Sequence, residues 1–245
     1  MFDKDGPTLL ELAKQALSST RDGYDLLAPK FDKTPFRTPD VIIEKTFETL
    51  GEPVGSALDV CCGTGAAMLH LRPLCKERLV GIDFSPKMIE EAKKHLGLLG
   101  PFGDQTAEAH NPRIELVEKD VFSMDFDKEF DVVTSFGAFG HILPEAEPRF
   151  VDLVRKALVP GGRFIFVTAE KPPPYLPKVL MARGFNAVMR ARNAIVSPPF
   201  IMYYLTFLLP DIERLLRWKG FEVTKKEGAF DKPFDRAVIV SARRV

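Results

Sequence analysis

ALDVCCGTG at residues 57–65, followed by LVGIDFSPKMIEEAKKH at residues 79–95, decides the fold of this 245-residue chain. SALDVCC and RLVGIDF are short runs of Val, Ile, Leu and Cys, the pattern of strands covered on both faces. After the second run, Ser85-Pro86 supplies a helix N-cap with Pro at the first helical position, and Gly97 stands where that helix should stop. The rhythm continues outward. IELVEKD, FDVVTSFG and RFIFVTA read as three more buried strands. Phe150, Leu153, Val154, Ala157 and Leu158 share one face of a helix predicted to end at Pro160-Gly161-Gly162. Upstream, Thr38-Pro39 opens a helix that Gly51 closes. Such alternation requires a parallel sheet with helices on both faces and right-handed crossovers. Residues 211–219 form a last helix ended by Gly220, and FEVTKKEG and RAVIVSAR follow, joined too closely for a helical crossover. They are expected to pair antiparallel. The predicted fold is α/β: a seven-stranded, doubly wound, mostly parallel sheet with a C-terminal antiparallel hairpin.

Composition bounds the function. Hydrophobic residues make up 45% and charged residues 28%, values of an ordinary globular domain. Lys+Arg and Asp+Glu are both 34, so the chain lacks the electrostatic footprint of a nucleic-acid binder. Three cysteines, two of them adjacent (Cys61, Cys62), offer neither metal-ligand spacing nor a disulfide framework, so no metal is expected. MFDKDGPTLLEL carries acids where a signal peptide would be basic, and the longest uncharged stretch, 193–210, is broken by Ser197-Pro198-Pro199. A cytoplasmic protein is expected. The 20 Phe residues hint at an oily pocket as well as an oily core. One domain spans 1–245: a helical cap (1–37), a ligand-binding core (38–170), a lid-like insertion before the last two strands (171–209), and the last helix and strands (210–245).

The chemistry gathers at the strand ends. Gly63 and Gly65 let backbone approach a ligand closely, and the next helix aims its first amides into the same space. Asp83 ends the second strand, where a carboxylate accepts hydrogen bonds from both ribose hydroxyls. Asp120 ends the third, within reach of an adenine amino group. Asp59 lies inside the first motif, where its charge repels a pyrophosphate but suits a sulfonium bearing an amino acid. That contrast favours S-adenosylmethionine over a dinucleotide.

ALDVCCGTG, LVGIDFSPKMIEEAKKH, VEKDVF, FDVVTSFGAFGHI and LVPGGRFIFV, in this order, resemble the motif series of class I S-adenosylmethionine-dependent methyltransferases, which are Rossmann-like in fold. YDLLAPKFD (24–32) is similar to the lead-in of small-molecule enzymes of the ubiquinone/menaquinone-biosynthesis type. The resemblance implies that Asp59, Cys61, Gly63, Thr64 and Gly65 line the methionine portion and Asp83 holds the ribose. It implies Phe84 and Met88 against the adenine and Asp120 with Val121 at its edge. Ser135, Phe136 and Gly137 would run beneath the sulfonium. Of the lead-in aromatics Tyr24 and Phe31, one is expected to cover the cofactor; alternatively both are core anchors for an N-terminal helix. Cys61 departs from the pattern, standing where the family has its first loop glycine; a backbone compatible with a β-carbon is expected there.

His141, just past the fourth strand at the ligand-binding edge, is the candidate general base; alternatively it orders the following loop by bonding backbone. His95 reads as a dipole-matched surface residue, and His70 and His110 as bystanders without carboxylate partners. Residues 172–209 hold Tyr175, Tyr203, Tyr204, Met181, Met189 and Met202, with only basic charges (Lys178, Arg183, Arg190, Arg192). They suit a lid over a small hydrophobic acceptor, a peripheral helix touching anionic lipid, or a dimer contact. The expected activity is O- or C-methylation of such an acceptor. An NAD(P)-dependent oxidoreductase is disfavoured by Met68, where its fingerprint wants Gly or Ala, and by the missing Tyr-x-x-x-Lys pair. The third alternative is an inactive module that keeps the cofactor pocket.

Overall fold

The computed structural model describes residues 5–99 and 112–245; His110 lies outside them. Seven strands form one sheet: β1 (Val54–Val60), β2 (Cys75–Asp83), β3 (Arg113–Glu118), β4 (Phe130–Ser135), β5 (Leu158–Ala169), β6 (Phe221–Lys226) and β7 (Ala237–Arg244). Their spatial order is β3-β2-β1-β4-β5-β7-β6. The first five pair in parallel, whereas β7 runs antiparallel between β5 and β6. The doubly wound, Rossmann-like reading therefore holds, with the hairpin at one edge.

Strand order reverses at β1, which pairs with both β2 and β4. In such sheets the crevice beyond the carboxyl ends of the strands at that point is where ligands bind. Here those ends are the Cys61–Gly65 turn and the Phe136–Gly137 turn.

Helices α1 (Leu9–Leu17), α2 (Thr20–Leu27), α3 (Asp40–Phe47), α4 (Ala66–Leu71), α5 (Pro86–His95), α6 (Glu147–Ala157), α7 (Pro177–Ile195) and α8 (Asp211–Trp218) complete the described fold. The punctuation of α5 follows the sequence: the Ser85 side chain accepts from Met88 N, Pro86 opens the helix, and Gly97 has φ of 73°. α6 differs from expectation. It stops at Ala157 because Leu158 already takes extended angles, and Pro160-Gly161-Gly162 lies within β5. The ladder pairs Phe130 with Leu158 and then Val132 with Arg163, so the Pro-Gly-Gly run is a bulge in a strand.

Two cores cover the sheet faces. One includes Phe130, Phe150, Phe164, Phe166 and Phe207 under α6 and α8; the other includes Ile43, Phe47, Met68, Leu71 and Ile89 under α3, α4 and α5. More Phe packs in the first core than in the second, and there Phe139 stacks on Phe207 at 4.0 Å between centroids. Each such ring contributes about 1.5–3 kcal/mol on burial. Met68 packs by a different route from a dinucleotide fold. The glycine needed for close helix–strand approach sits on the strand: a β-carbon on Gly81 would lie 2.3 Å from Met68 Sδ.

Candidate active site

β1 ends in a turn of three positive φ angles: Cys61 (57°), Gly63 (54°) and Gly65 (82°). Cys61 thus occupies the left-handed region, a correction to the expectation of a backbone suited to a β-carbon; such a residue costs about 1–2 kcal/mol there. The neighbouring sheet offsets it, since Cys62 N donates to Ile82 O at 3.0 Å and Gly65 N to Cys62 O at 2.9 Å. Burial pushes the Cys61 and Cys62 thiols well up, assisted by the negative field of Asp83, so both stay protonated.

Asp83, at the tip of β2, is the keystone of the turn. Its Oδ2 accepts from Gly63 N and its Oδ1 from Ser85 N, both at 2.9 Å, joining the β1 turn to the start of α5. Burial pushes its carboxyl up to about 6, against the pull of those backbone donors. Asp59, buried one residue before the end of β1, accepts from Thr134 Oγ1 at 2.8 Å; burial, helped by Asp83, pushes it up to about 7.

A cavity of about 530 Å³ opens beside these groups. Of the expected residues, Tyr24, Asp59, Cys61, Gly63, Thr64, Asp83, Phe84, Met88, Phe136, Gly137 and His141 line it. Gly65, Asp120, Val121 and Ser135 do not. Gly65 faces α5, where a β-carbon would lie 3.2 Å from Ala92 Cβ; its glycine serves helix packing. Asp120 lies two residues beyond β3 and caps the 3-10 turn Val121–Ser123 by accepting from Phe122 N. Val121 is buried in the first core, and Ser135 is buried with its hydroxyl donating to Val60 O.

The opposite wall comes from the cap and the insertion. Tyr24 on α2 donates its hydroxyl to His141 Nε2 at 2.6 Å, and His141 Nδ1 lies 2.5 Å from Ile201 O. A carbonyl only accepts, so Nδ1 carries the ring proton and Nε2 is the acceptor. Burial holds His141 below its ordinary 6.5, with the Ile201 carbonyl opposing, and raises the Tyr24 phenol. His141 is therefore neutral near pH 7. His141 bonds the returning backbone through Nδ1, and its basic Nε2 is engaged by the Tyr24 hydroxyl. Met202, Tyr203, Tyr204, Leu205 and Thr206 complete this wall.

The sequence reading missed two clamps within YDLLAPKFD. Asp25 accepts from Ser85 Oγ at 2.5 Å and Lys87 N at 3.2 Å, and Asp32 accepts from Thr64 Oγ1 at 2.6 Å. Acids seven residues apart thus pin the lead-in to both loops. His95 is exposed in the last turn of α5, as read from the sequence, and in addition its Nδ1 lies 3.0 Å from Thr64 O and 3.5 Å from Asp32. His70 also has carboxylate partners, Asp40 at 3.2 Å and Glu44 at 3.8 Å.

Asp59 gives a stability test. Its folded value lies above the unfolded 3.8, so its favourable contribution is full below about pH 3.8 and is lost as pH rises through about 7. Asp59→Asn keeps an acceptor for Thr134. Without ligand, thermal unfolding should show this variant more stable than wild type at pH 8 and little changed near pH 4. Each kcal/mol recovered should raise Tm by about 2–4 °C.

A family model described as a methyltransferase domain matches residues 57–162, spanning β1 to the bulge of β5. The demethylmenaquinone methyltransferase of Lactococcus lactis subsp. lactis is 29% identical over 73% of this chain and 67% of its own length. The demethylmenaquinone methyltransferase of Staphylococcus saprophyticus subsp. saprophyticus is 31% identical over 66% of each chain. The chain spans about two thirds of the length of these curated relatives. Among solved structures, a complex of DhpI with SAH superposes with a TM-score of 0.64, at 20% identity, over 97% of this chain and 98% of that one. The domain match begins on β1 and runs through the very turn that Asp83 ties down, and the solved neighbour shares the fold almost end to end. The chain belongs to the class I S-adenosylmethionine-dependent methyltransferases.

Proposed function

We propose that this chain transfers a methyl group from S-adenosylmethionine to a small hydrophobic acceptor, at oxygen or ring carbon, inside the cavity between Asp83 and His141. The observation that carries this reading is that one cavity has two chemically distinct walls. Buried Asp59 and Asp83, both raised by desolvation, form a wall that a cationic ligand would stabilise. Arg37, also lining the cavity, is turned to Asp40 at 2.7 Å and Asp32 at 3.6 Å, leaving that electrostatic demand unmet. The residues therefore fit S-adenosylmethionine. Asp83 and Gly63 would hold its sugar, Asp59 its charged end, and Phe84 with Met88 its base.

When bound, the cofactor supplies a methyl carbon activated by positive sulfur. The protein's part is alignment, exclusion of water and removal of one proton. Tyr24 and His141 perform the last: as the acceptor loses its proton to the Tyr24 oxygen, the Tyr24 proton passes to His141 Nε2. Phe139, Met202, Tyr203 and Leu205 supply an apolar berth for the acceptor. The relatives named for demethylmenaquinone support a quinone-like or other aromatic ring as acceptor.

Titration calorimetry with S-adenosylmethionine and its demethylated product tests the cofactor half. Transfer of labelled methyl to a reduced naphthoquinone tests the acceptor half. Binding of the sulfonium relative to the neutral product should strengthen from pH 5 to pH 8 as Asp59 ionises. A lack of binding by either compound at millimolar concentration overturns the reading.

A further inference from the structure

Helix α7 has two apolar faces, and the fold uses one. Val179, Ala182 and Met189 turn inward. On the opposite side, Leu180, Val188 and Ile195 recur at helical spacing beside Met181, and are 56%, 66%, 86% and, for Met181, 76% exposed. Gly184 and Ala191 fill the remaining places on that stripe, so no polar group interrupts it. An apolar stripe of this length left exposed on a surface helix marks a face that meets another apolar surface.

The charges around the stripe have one sign. From Lys171 to Leu209 the chain contains no Asp or Glu, while Lys178, Arg183 and Arg190 are exposed beside the stripe. Arg192, closer to the body of the protein, donates to the Leu17 and Ser18 carbonyls and anchors α7 to the end of α1. Leu17 is itself exposed, extending the apolar surface past that anchor. The pattern of an apolar stripe flanked by cations is that of a helix lying in the interface of an anionic bilayer. No helix among the described residues is long and apolar enough to span a membrane.

The same face connects to the cavity. Phe185, at the edge of the stripe, packs against Tyr204 with centroids 5.1 Å apart. Tyr204 and Leu205 line the cavity that holds His141 and also a second cavity, of about 720 Å³, that runs beneath the start of α7. Tyr204, Leu205 and Leu208, shared by the two cavities, give an apolar compound arriving at α7 an apolar path towards the site.

We propose that the outward face of α7 docks on an anionic phospholipid surface. Charge decides against a second copy of this chain as occupant. In a two-fold contact centred on α7, Arg183 and Arg190 would face cations, because the segment has no acid to pair with them.

Co-sedimentation with vesicles, in the absence of cofactor and acceptor, tests this separately from any methylation. The full chain should sediment with phosphatidylcholine vesicles containing phosphatidylglycerol, bind pure phosphatidylcholine more weakly, and be released by salt. Lys178→Gln with Arg183→Gln should weaken binding by about fivefold for each cation removed. Val188→Glu with Ile195→Glu, at exposed positions that leave the core intact, should weaken it by about tenfold or more. Failure of the wild type to bind, or binding unaltered in both double variants, overturns the proposal. So does a concentration-dependent dimer that Val188→Glu with Ile195→Glu dissolves, which would assign the face to a second copy.

Discussion

Asp83→Ala is expected to weaken S-adenosylmethionine binding by about 100-fold or more, read by calorimetry at pH 7.5. Removing one partner of a buried, hydrogen-bonded charged contact typically costs about 2–5 kcal/mol, and about 1.4 kcal/mol is tenfold. Two losses combine at this position. The ligand loses the carboxylate proposed to hold its sugar. The turn loses its brace, because Gly63 N and Ser85 N both donate to Asp83 and each would be left without that acceptor. The protein should still fold, since the ladders of β2 with β1 and β3 are backbone bonds that the substitution leaves in place. Asp83→Asn separates the effects. It retains one acceptor oxygen for the turn while abolishing the charge, so its affinity should fall between wild type and Asp83→Ala. Equal affinity in all three proteins would place the cofactor elsewhere.

His141→Ala should lower kcat by about 10²–10⁴-fold with little change in cofactor affinity, if the acceptor must lose a proton at the transition state. Tyr24→Phe, which removes only the hydroxyl that donates to Nε2, should lower kcat in the same direction with the ring contacts to Phe31 and Phe84 intact. The pH profile distinguishes a base from a bracket. Burial holds His141 below 6.5, so the active neutral form persists to mildly acidic pH and kcat, read with saturating cofactor, should fall as pH drops further. That acid limb should vanish in His141→Ala, and added imidazole should restore part of the rate. If the histidine only secures Ile201 O, its removal should instead raise KM for the acceptor and loosen the returning segment of the insertion, with no rescue and an unchanged profile.

The stability consequences of the same histidine run opposite to those of Asp59. A folded His value below the unfolded one means the unfolded chain binds the extra proton first, so folding weakens as pH falls below about 6.5. The ligand-free protein is thus pressed from the alkaline side by Asp59 and from the acid side by His141. A cation bound beside Asp59 relieves only the first.

Much of this protein was determined by residues close in sequence. The strand–helix alternation, the Ser85-Pro86 start of α5, the stop at Gly97 and the place of Asp83 at the end of β2 all follow from periodicity and capping. Those interactions join residues only a few positions apart, so local preference selects them. Tertiary structure alone decided the rest. Tyr24 meets His141 across 117 residues, Asp32 reaches Thr64 across 32, and His141 reaches Ile201 across 60. Gly65 looked like a ligand-facing glycine until α5 was placed against it, and the Pro160-Gly161-Gly162 run looked like a helix stop until β4 showed the register around it. A side chain's partner across elements is set by how helices settle on the sheet, which depends on every buried volume between them. No short stretch of sequence carries that sum.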